Sequence, residues 1–262
     1  MTAHHIRFEV DDEGIGVITI DRPEKRNAMT YAMLGAFIEA VGKAGEDERV
    51  RVLIITGAGG AFCAGTDLAD LASIPGESRG VRGRADQHDV WWPIVACPKP
   101  VIGAIDGYAV GMGAEFTSQC DVRIVSDRAR FAWNFAHRGL VPDTGAGSWL
   151  LPRIIGPSRA LRLLYAGGFL EAAEAKEIGY ANEVVAPEAL MDAARAEARR
   201  YLASSPFSLR HMKTLVWRGL ERDVAEHMQH HVTALSACFK SEDHKEGVAS
   251  FLERRPAKFV GR

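Results

Sequence analysis

Pro100-Val101-Ile102-Gly103-Ala104-Ile105-Asp106-Gly107-Tyr108-Ala109-Val110-Gly111-Met112-Gly113-Ala114-Glu115 is the stretch whose reading decides the fold. Its apolar run, Pro100 to Ile105, is broken at Asp106-Gly107, and the glycine turn that follows opens a helix predicted to run from Met112 to about Cys120. A strand, a glycine turn and a helix start leave unpaired backbone N–H groups at the positive end of a helix dipole. Such a turn suits an anion, either a bound phosphate or an oxyanion formed during a reaction. Glu115 sets a carboxylate one turn into the same helix, so a donor for developing negative charge stands beside a base.

Working outward, Val50 to Thr56 reads as a second buried strand, β-branched and nearly continuous, that runs into the glycine-rich Gly57 to Leu68. Thr66 and Met112 both fall where a backbone N–H would be free. Two such donors on one oxygen would form an oxyanion hole, in which losing one donor typically costs about 2.7–4 kcal/mol of barrier. Two ordinary strand–helix turns would have the same spacing. The nucleotide motifs fail: the third glycine of a dinucleotide fingerprint is Phe62 in one turn and Phe116 in the other, and no Gly-Lys-Ser/Thr follows either. Gly76-Glu77-Ser78-Arg79-Gly80 has the nucleophile-elbow pattern, but it lies in a polar loop without the strand and helix the elbow needs, so it is a chance match.

The remaining pattern is α/β, with strands and helices alternating through the first half and helices dominating after Gly145. Ile6–Val10 and Ile15–Ile20 flank Asp11-Asp12-Glu13-Gly14 as a hairpin. Thr30 caps a helix in which Met33, Leu34, Phe37, Ile38 and Val41 recur at helical spacing. Residues 74–90 form a charged surface segment, expected to be mobile. At 262 residues with 47% hydrophobic residues, the chain can build a large core; a net charge of −2 points away from nucleic acid and membrane-surface partners. No apolar run reaches the roughly 18 residues of a membrane span. The four scattered cysteines suggest neither a disulfide framework nor a zinc site, so a cytosolic location is expected. His227, His230 and His231 share a helical face without a completing ligand, and no metal is expected there. His137 lies near Asp143 in sequence and reads as structural.

Ala61-Phe62-Cys63-Ala64-Gly65-Thr66-Asp67-Leu68 resembles the Phe-Cys-Ala-Gly-x-Asp-Leu signature of the enoyl-CoA hydratase/isomerase (crotonase) family. Pro100 to Glu115 is similar to the family's second signature. Asp21-Arg22-Pro23, Asn27-Ala28-Met29, Cys120-Asp121 and Lys245-Glu246-Gly247 through Phe251-Leu252-Glu253-Arg254-Arg255-Pro256 extend the likeness over essentially the whole chain. The resemblance implies a ββα spiral core over residues 1–200, with a C-terminal helical region, 201–262, used to form a trimer or a dimer of trimers. It also implies an acyl-CoA thioester substrate and no cofactor beyond the coenzyme A of that substrate.

By position, the resemblance gives the N–H groups of Thr66 and Met112 the thioester oxygen and puts Ala64, Asp67 and Leu68 against CoA. Lys25 is either a phosphate partner or a solvated surface lysine. Hydratases of the family carry two glutamates; Glu115 matches the first, and the second falls at Phe135, which transfers no proton. Asp143 occupies the place of the acidic residue of dienoyl-CoA isomerases and of the nucleophilic aspartate of 4-chlorobenzoyl-CoA dehalogenases. The dehalogenases lack an acid at position 115, and the histidine that follows their tryptophan pair is Pro93 here. The resemblance therefore makes Glu115 and Asp143 a carboxylate pair flanking the acyl chain. An apolar pocket beside Phe135 would raise the pKa of such a group. Hydration of a 2-enoyl-CoA is expected first and double-bond isomerisation second. A non-catalytic acyl-CoA binding protein is the rival from another class.

Overall fold

The computed structural model describes residues 2–73 and 92–262. The segment expected to be mobile at 74–90, Trp91 and the Gly76–Gly80 match lie outside these residues.

The described strands are, in chain order, β1 (Thr2–Ala3), β2 (Ile6–Val10), β3 (Ile15–Ile20), β4 (Val52–Gly57), β5 (Val101–Ile105), β6 (Tyr108–Val110), β7 (Val122–Ser126), β8 (Arg130–Ala132), β9 (Leu170–Glu171) and β10 (Glu183–Val185). One sheet has the order β1-β2-β3-β4-β5-β7-β10, and a smaller one the order β6-β8-β9. The expected hairpin is β2–β3, paired antiparallel from Ile6↔Ile20 to Val10↔Gly16. Its turn is set by Asp11, whose carboxylate accepts the N–H groups of Glu13 at 3.0 Å and Ile15 at 2.9 Å. From β3 onward the large sheet is parallel, through β4, β5, β7 and β10.

Burial on both faces explains why β4 reads as a continuous apolar run. Leu53 and Ile55 enter one core with Met33, Phe37, Phe62, Phe116 and Trp133, while Val52 and Ile54 enter another with Ile102, Ile124 and Leu190. The helix Tyr31–Glu46 supplies Met33, Phe37, Val41 and Ala44 to the first core. Its start is fixed as expected by Thr30, whose hydroxyl accepts the Met33 N–H at 3.2 Å. Phe37 stacks on Phe116 with ring centroids 4.8 Å apart, which ties this helix to the helix Met112–Gln119. The helix Leu190–Leu202 covers the opposite face through Leu190, Ala194 and Ala198, one residue per turn. Arg195 and Arg199 on it pair with Asp11 and Glu13 of the hairpin turn.

The helices Pro206–Gly219, Val224–Lys240 and Glu242–Glu253 close the chain. Each has a side-chain cap, Ser205, Asp223 and Ser241 respectively, that accepts the N–H three residues on. The first is tied to the body by Lys213, 2.9 Å from Asp121, and by Trp217, whose indole donates to the same carboxylate at 2.8 Å. These helices leave Met212, Val216, Met228, Val232, Leu235, Phe239, Phe251 and Leu252 exposed, a large apolar surface. Among the described residues, no helix is long and apolar enough to cross a membrane.

Candidate active site

The two glycine turns read from the sequence lie against each other. Cys63 forms a parallel bridge with Ala109, and Val110 donates its N–H to the Cys63 carbonyl at 2.9 Å. Gly113 completes the contact: a Cβ there would overlap that same carbonyl oxygen, so no side chain is tolerated at this approach. Met112 is the first residue of its helix, and its N–H is one of the unpaired N-terminal donors. Thr66 is bridged to Met29, but the bonds of that bridge run from Met29 N–H to the Gly65 carbonyl and from Asp67 N–H to the Met29 carbonyl, both 2.8 Å. Among the described residues, the N–H groups of Thr66 and Met112 donate to no backbone carbonyl. Thr66 does not itself open a helix as its spacing suggests; the next helix is Leu68–Ser73.

Glu115 is fully buried. Its carboxylate does not face open solvent but is met by the start of a second helix, Ala146–Ile155. Oε1 accepts the Gly147 N–H at 2.5 Å; Oε2 accepts the Thr144 hydroxyl at 2.5 Å and the Thr144 N–H at 3.2 Å. A helix N-terminus favours a carboxylate. This approach also needs a glycine, because a Cβ at Gly147 would overlap Glu115 Oε1 and stand 2.9 Å from Trp133 Cδ1. Burial pushes the Glu115 carboxyl up to about 7; the Thr144 hydroxyl opposes that rise, the charge of Asp143 adds to it, and the backbone bonds of Gly147 and Thr144 oppose it. Desolvation thus dominates three hydrogen bonds that favour the ionised form. Trp92 steadies the arrangement by donating its indole N–H to the Thr144 carbonyl at 2.9 Å.

Asp143 is exposed on the loop just before Thr144, close enough for its charge to raise the Glu115 pKa. Phe135 is buried, and its ring tip lies 3.9 Å from where a Cβ on Gly111 would stand, beside the turn that carries Met112. The immediate surroundings of Glu115 include its polar net and the edge of Trp133. Ala64 is half-buried and donates its N–H to the Arg26 carbonyl at 3.0 Å. Asp67 is already engaged: Arg22 donates to its carboxylate at 2.7 Å, and its other oxygen accepts the N–H groups of Ala69 and Asp70. Its backbone N–H is spent on Met29 as well. Leu68 and Lys25 are exposed. His137 packs its ring beside Gly167. Among the described residues, no group of His, Cys, Asp and Glu could hold a metal, which includes the His227 cluster.

Sequence reasoning missed Thr144 and Gly147. The available signal was Thr144-Gly145-Ala146-Gly147, a hydroxyl and two glycines at a helix start, but nothing local names the carboxylate it would meet.

Two interlocked glycine turns and a buried carboxylate, on a mixed α/β framework with a helical C-terminal region, belong to an enzyme with the crotonase fold. The enoyl-CoA hydratase/isomerase family model matches residues 11–262, and the chain belongs to that family. It is 35% identical over 252 residues to the crotonyl-CoA hydratase of Syntrophomonas wolfei, covering 96% of each chain. It is 32% identical over 251 residues to the short-chain-enoyl-CoA hydratase of Clostridium acetobutylicum, covering 94% of each. Among solved structures, the enoyl-CoA hydratase from Bacillus anthracis superposes with a TM-score of 0.90 at 29% identity, over 99% of this chain and 100% of that one.

Proposed function

We propose that this enzyme hydrates a 2-enoyl-CoA, with Glu115 as the principal acid–base group and Asp143 as its partner carboxylate. The observation that carries the reading is the Glu115 carboxyl, fully buried, fixed by three donors and pushed up to about 7, where a group gives up and takes back protons readily at physiological pH. The N–H groups of Thr66 and Met112 would hold the thioester oxygen as negative charge develops on it. Their turns are packed together, and neither N–H is taken up by a backbone carbonyl of the described residues. The names of the relatives support an enoyl-CoA substrate of short chain.

Coenzyme A would enter only as part of the substrate, past Ala64 and Leu68, with Lys25 free to meet a phosphate. Asp67 would serve by shaping this wall through Arg22 rather than by touching the ligand with its carboxylate. The apolar surface of the three C-terminal helices suits burial against further copies in a trimer or a dimer of trimers. The four cysteines are all free, which fits a reducing, cytosolic setting.

One observation favours a second reading. Asp143, exposed beside the buried Glu115, takes the place of the acidic residue of dienoyl-CoA isomerases, while Phe135 replaces both the second glutamate of hydratases and the base of many Δ3–Δ2 enoyl-CoA isomerases. That pair would also serve a double-bond shift. A panel of crotonyl-, 3-enoyl- and dienoyl-CoA substrates followed by absorbance tests both readings. Fastest turnover of crotonyl-CoA supports hydration, and fastest shift of a 3-enoyl- or dienoyl-CoA transfers the assignment to isomerisation. Coenzyme A affinity without turnover of any of them overturns the enzymatic reading.

A further inference from the structure

We infer that Thr144 is a positioning residue that occupies Glu115 Oε2 and leaves Oε1 as the oxygen through which protons move. A carboxylate offers about four lone-pair positions, two on each oxygen. Both positions on Oε2 are filled from one residue, by the Thr144 hydroxyl at 2.5 Å and its N–H at 3.2 Å. On Oε1 only the Gly147 N–H, at 2.5 Å, is in place. One position therefore remains open among the described residues, and it is on Oε1.

The Thr144 hydroxyl is held in its donor role. Its oxygen accepts the Ala146 N–H at 3.3 Å, so a lone pair is turned toward the helix start and the hydroxyl hydrogen is free for Glu115. The loop carrying it is anchored from outside by the Trp92 indole on the Thr144 carbonyl. On the Oε1 side stands the fully buried Trp133, whose indole N–H has no partner among the described residues and whose Cδ1 borders the same point as Oε1 above Gly147. The charged neighbour acting on the carboxylate is Asp143, from the same loop; the Cys63 thiol at the facing turn is pushed up to about 12 by burial and stays neutral.

The kinetic part of this inference rests on the proposed acid–base role of Glu115; the position of the proton does not. Two variants and two measurements separate them. Thr144→Val removes the hydroxyl but keeps shape and backbone N–H, and Thr144→Ser restores the hydroxyl. The protonated Glu115 is followed by infrared difference spectroscopy against Glu115→Gln, and kcat/KM for crotonyl-CoA is followed against pH. With the proton on Oε1, the carbonyl is Oε2, so Thr144→Val strips it of a hydrogen bond and moves its stretch to higher frequency. The Glu115 titration also moves to higher pH, because the lost donor favoured the ionised form, and Thr144→Ser reverses both changes. With Glu115 acting as base, kcat/KM of Thr144→Val falls about tenfold at pH 6 and stays within about twofold of the wild type at pH 9. An unmoved stretch and titration in Thr144→Val overturn the inference, as does failure of Thr144→Ser to restore them. A spectroscopic shift without a kinetic one leaves the Thr144 assignment standing and removes Glu115 from the rate-governing ionisation.

Discussion

Glu115 and Asp143 are two carboxylates of one candidate site held in opposite ways. Glu115 is fully buried, carried on a helix and met by three hydrogen-bond donors from the start of another. Asp143 is exposed on the loop that supplies two of those donors, and the same loop exposes Leu140 and Val141. Burial raises the pKa of the first group, and the charge of the second adds to that rise. In the proposed mechanism, environment rather than residue type divides the work between the two.

The sharpest way to break this contrast is Glu115→Gln. It keeps the shape of the buried side chain and should lower turnover at least about a hundredfold on the true substrate. Near-normal turnover would remove Glu115 from the mechanism. Asp143→Asn should cost up to about a hundredfold if both carboxylates move protons. It should also shift the acidic limb of the pH profile downward, because the Asp143 charge is one of the influences that raise the Glu115 pKa. An unchanged rate and an unmoved limb would leave Glu115 working alone.

Gly147→Ala tests the net itself. Its methyl group would overlap Glu115 Oε1 and crowd Trp133, so turnover should fall about tenfold and stability by about 1–3 kcal/mol, measured by steady-state rates and denaturant unfolding. A variant with native rate and stability would mean that the helix start does not press on the carboxylate as described.

The smallest effect is on stability against pH. Between the ordinary glutamate value of 4.5 and about 7, folded Glu115 keeps a proton that the unfolded chain has released. The native state then binds more protons than the unfolded state, so stability falls as pH rises through this window. The contribution of this one group is at most about 3 kcal/mol. Chemical unfolding at pH 5 and pH 8 should show the wild type losing stability relative to Glu115→Gln. Parallel changes in the two proteins would place the Glu115 pKa near its ordinary value.

Much of the framework was legible because its determinants are local. The Asp11 turn, the Thr30 cap and the unbroken apolar run of β4 depend on neighbours a few residues away, and each element forms where its pattern predicts. The glycine turns at Thr66 and Met112 were legible for the same reason. β6 and β10 were missed, since three-residue strands are defined by partners, β8 and β7, that sequence spacing does not reveal. The net on Glu115 was hidden more deeply, for it joins position 115 to positions 144 and 147 across two helices. Desolvation raises the Glu115 pKa in the direction expected, while the polar net, which the sequence does not reveal, sets the orientation of the group.

The packing of the Cys63 and Val110 turns bears on how such a protein can diversify. The anion site proposed at Thr66 and Met112 uses peptide N–H groups and is indifferent to the side chains at its donor positions, so on that reading both residues can be exchanged without erasing it. Gly113 has no such freedom, since any larger residue collides with the Cys63 carbonyl. On the proposed reading, tolerated change is steered away from the packed glycine turns and toward the loop around Asp143 and Thr144, where single substitutions would alter the reaction of the bound thioester.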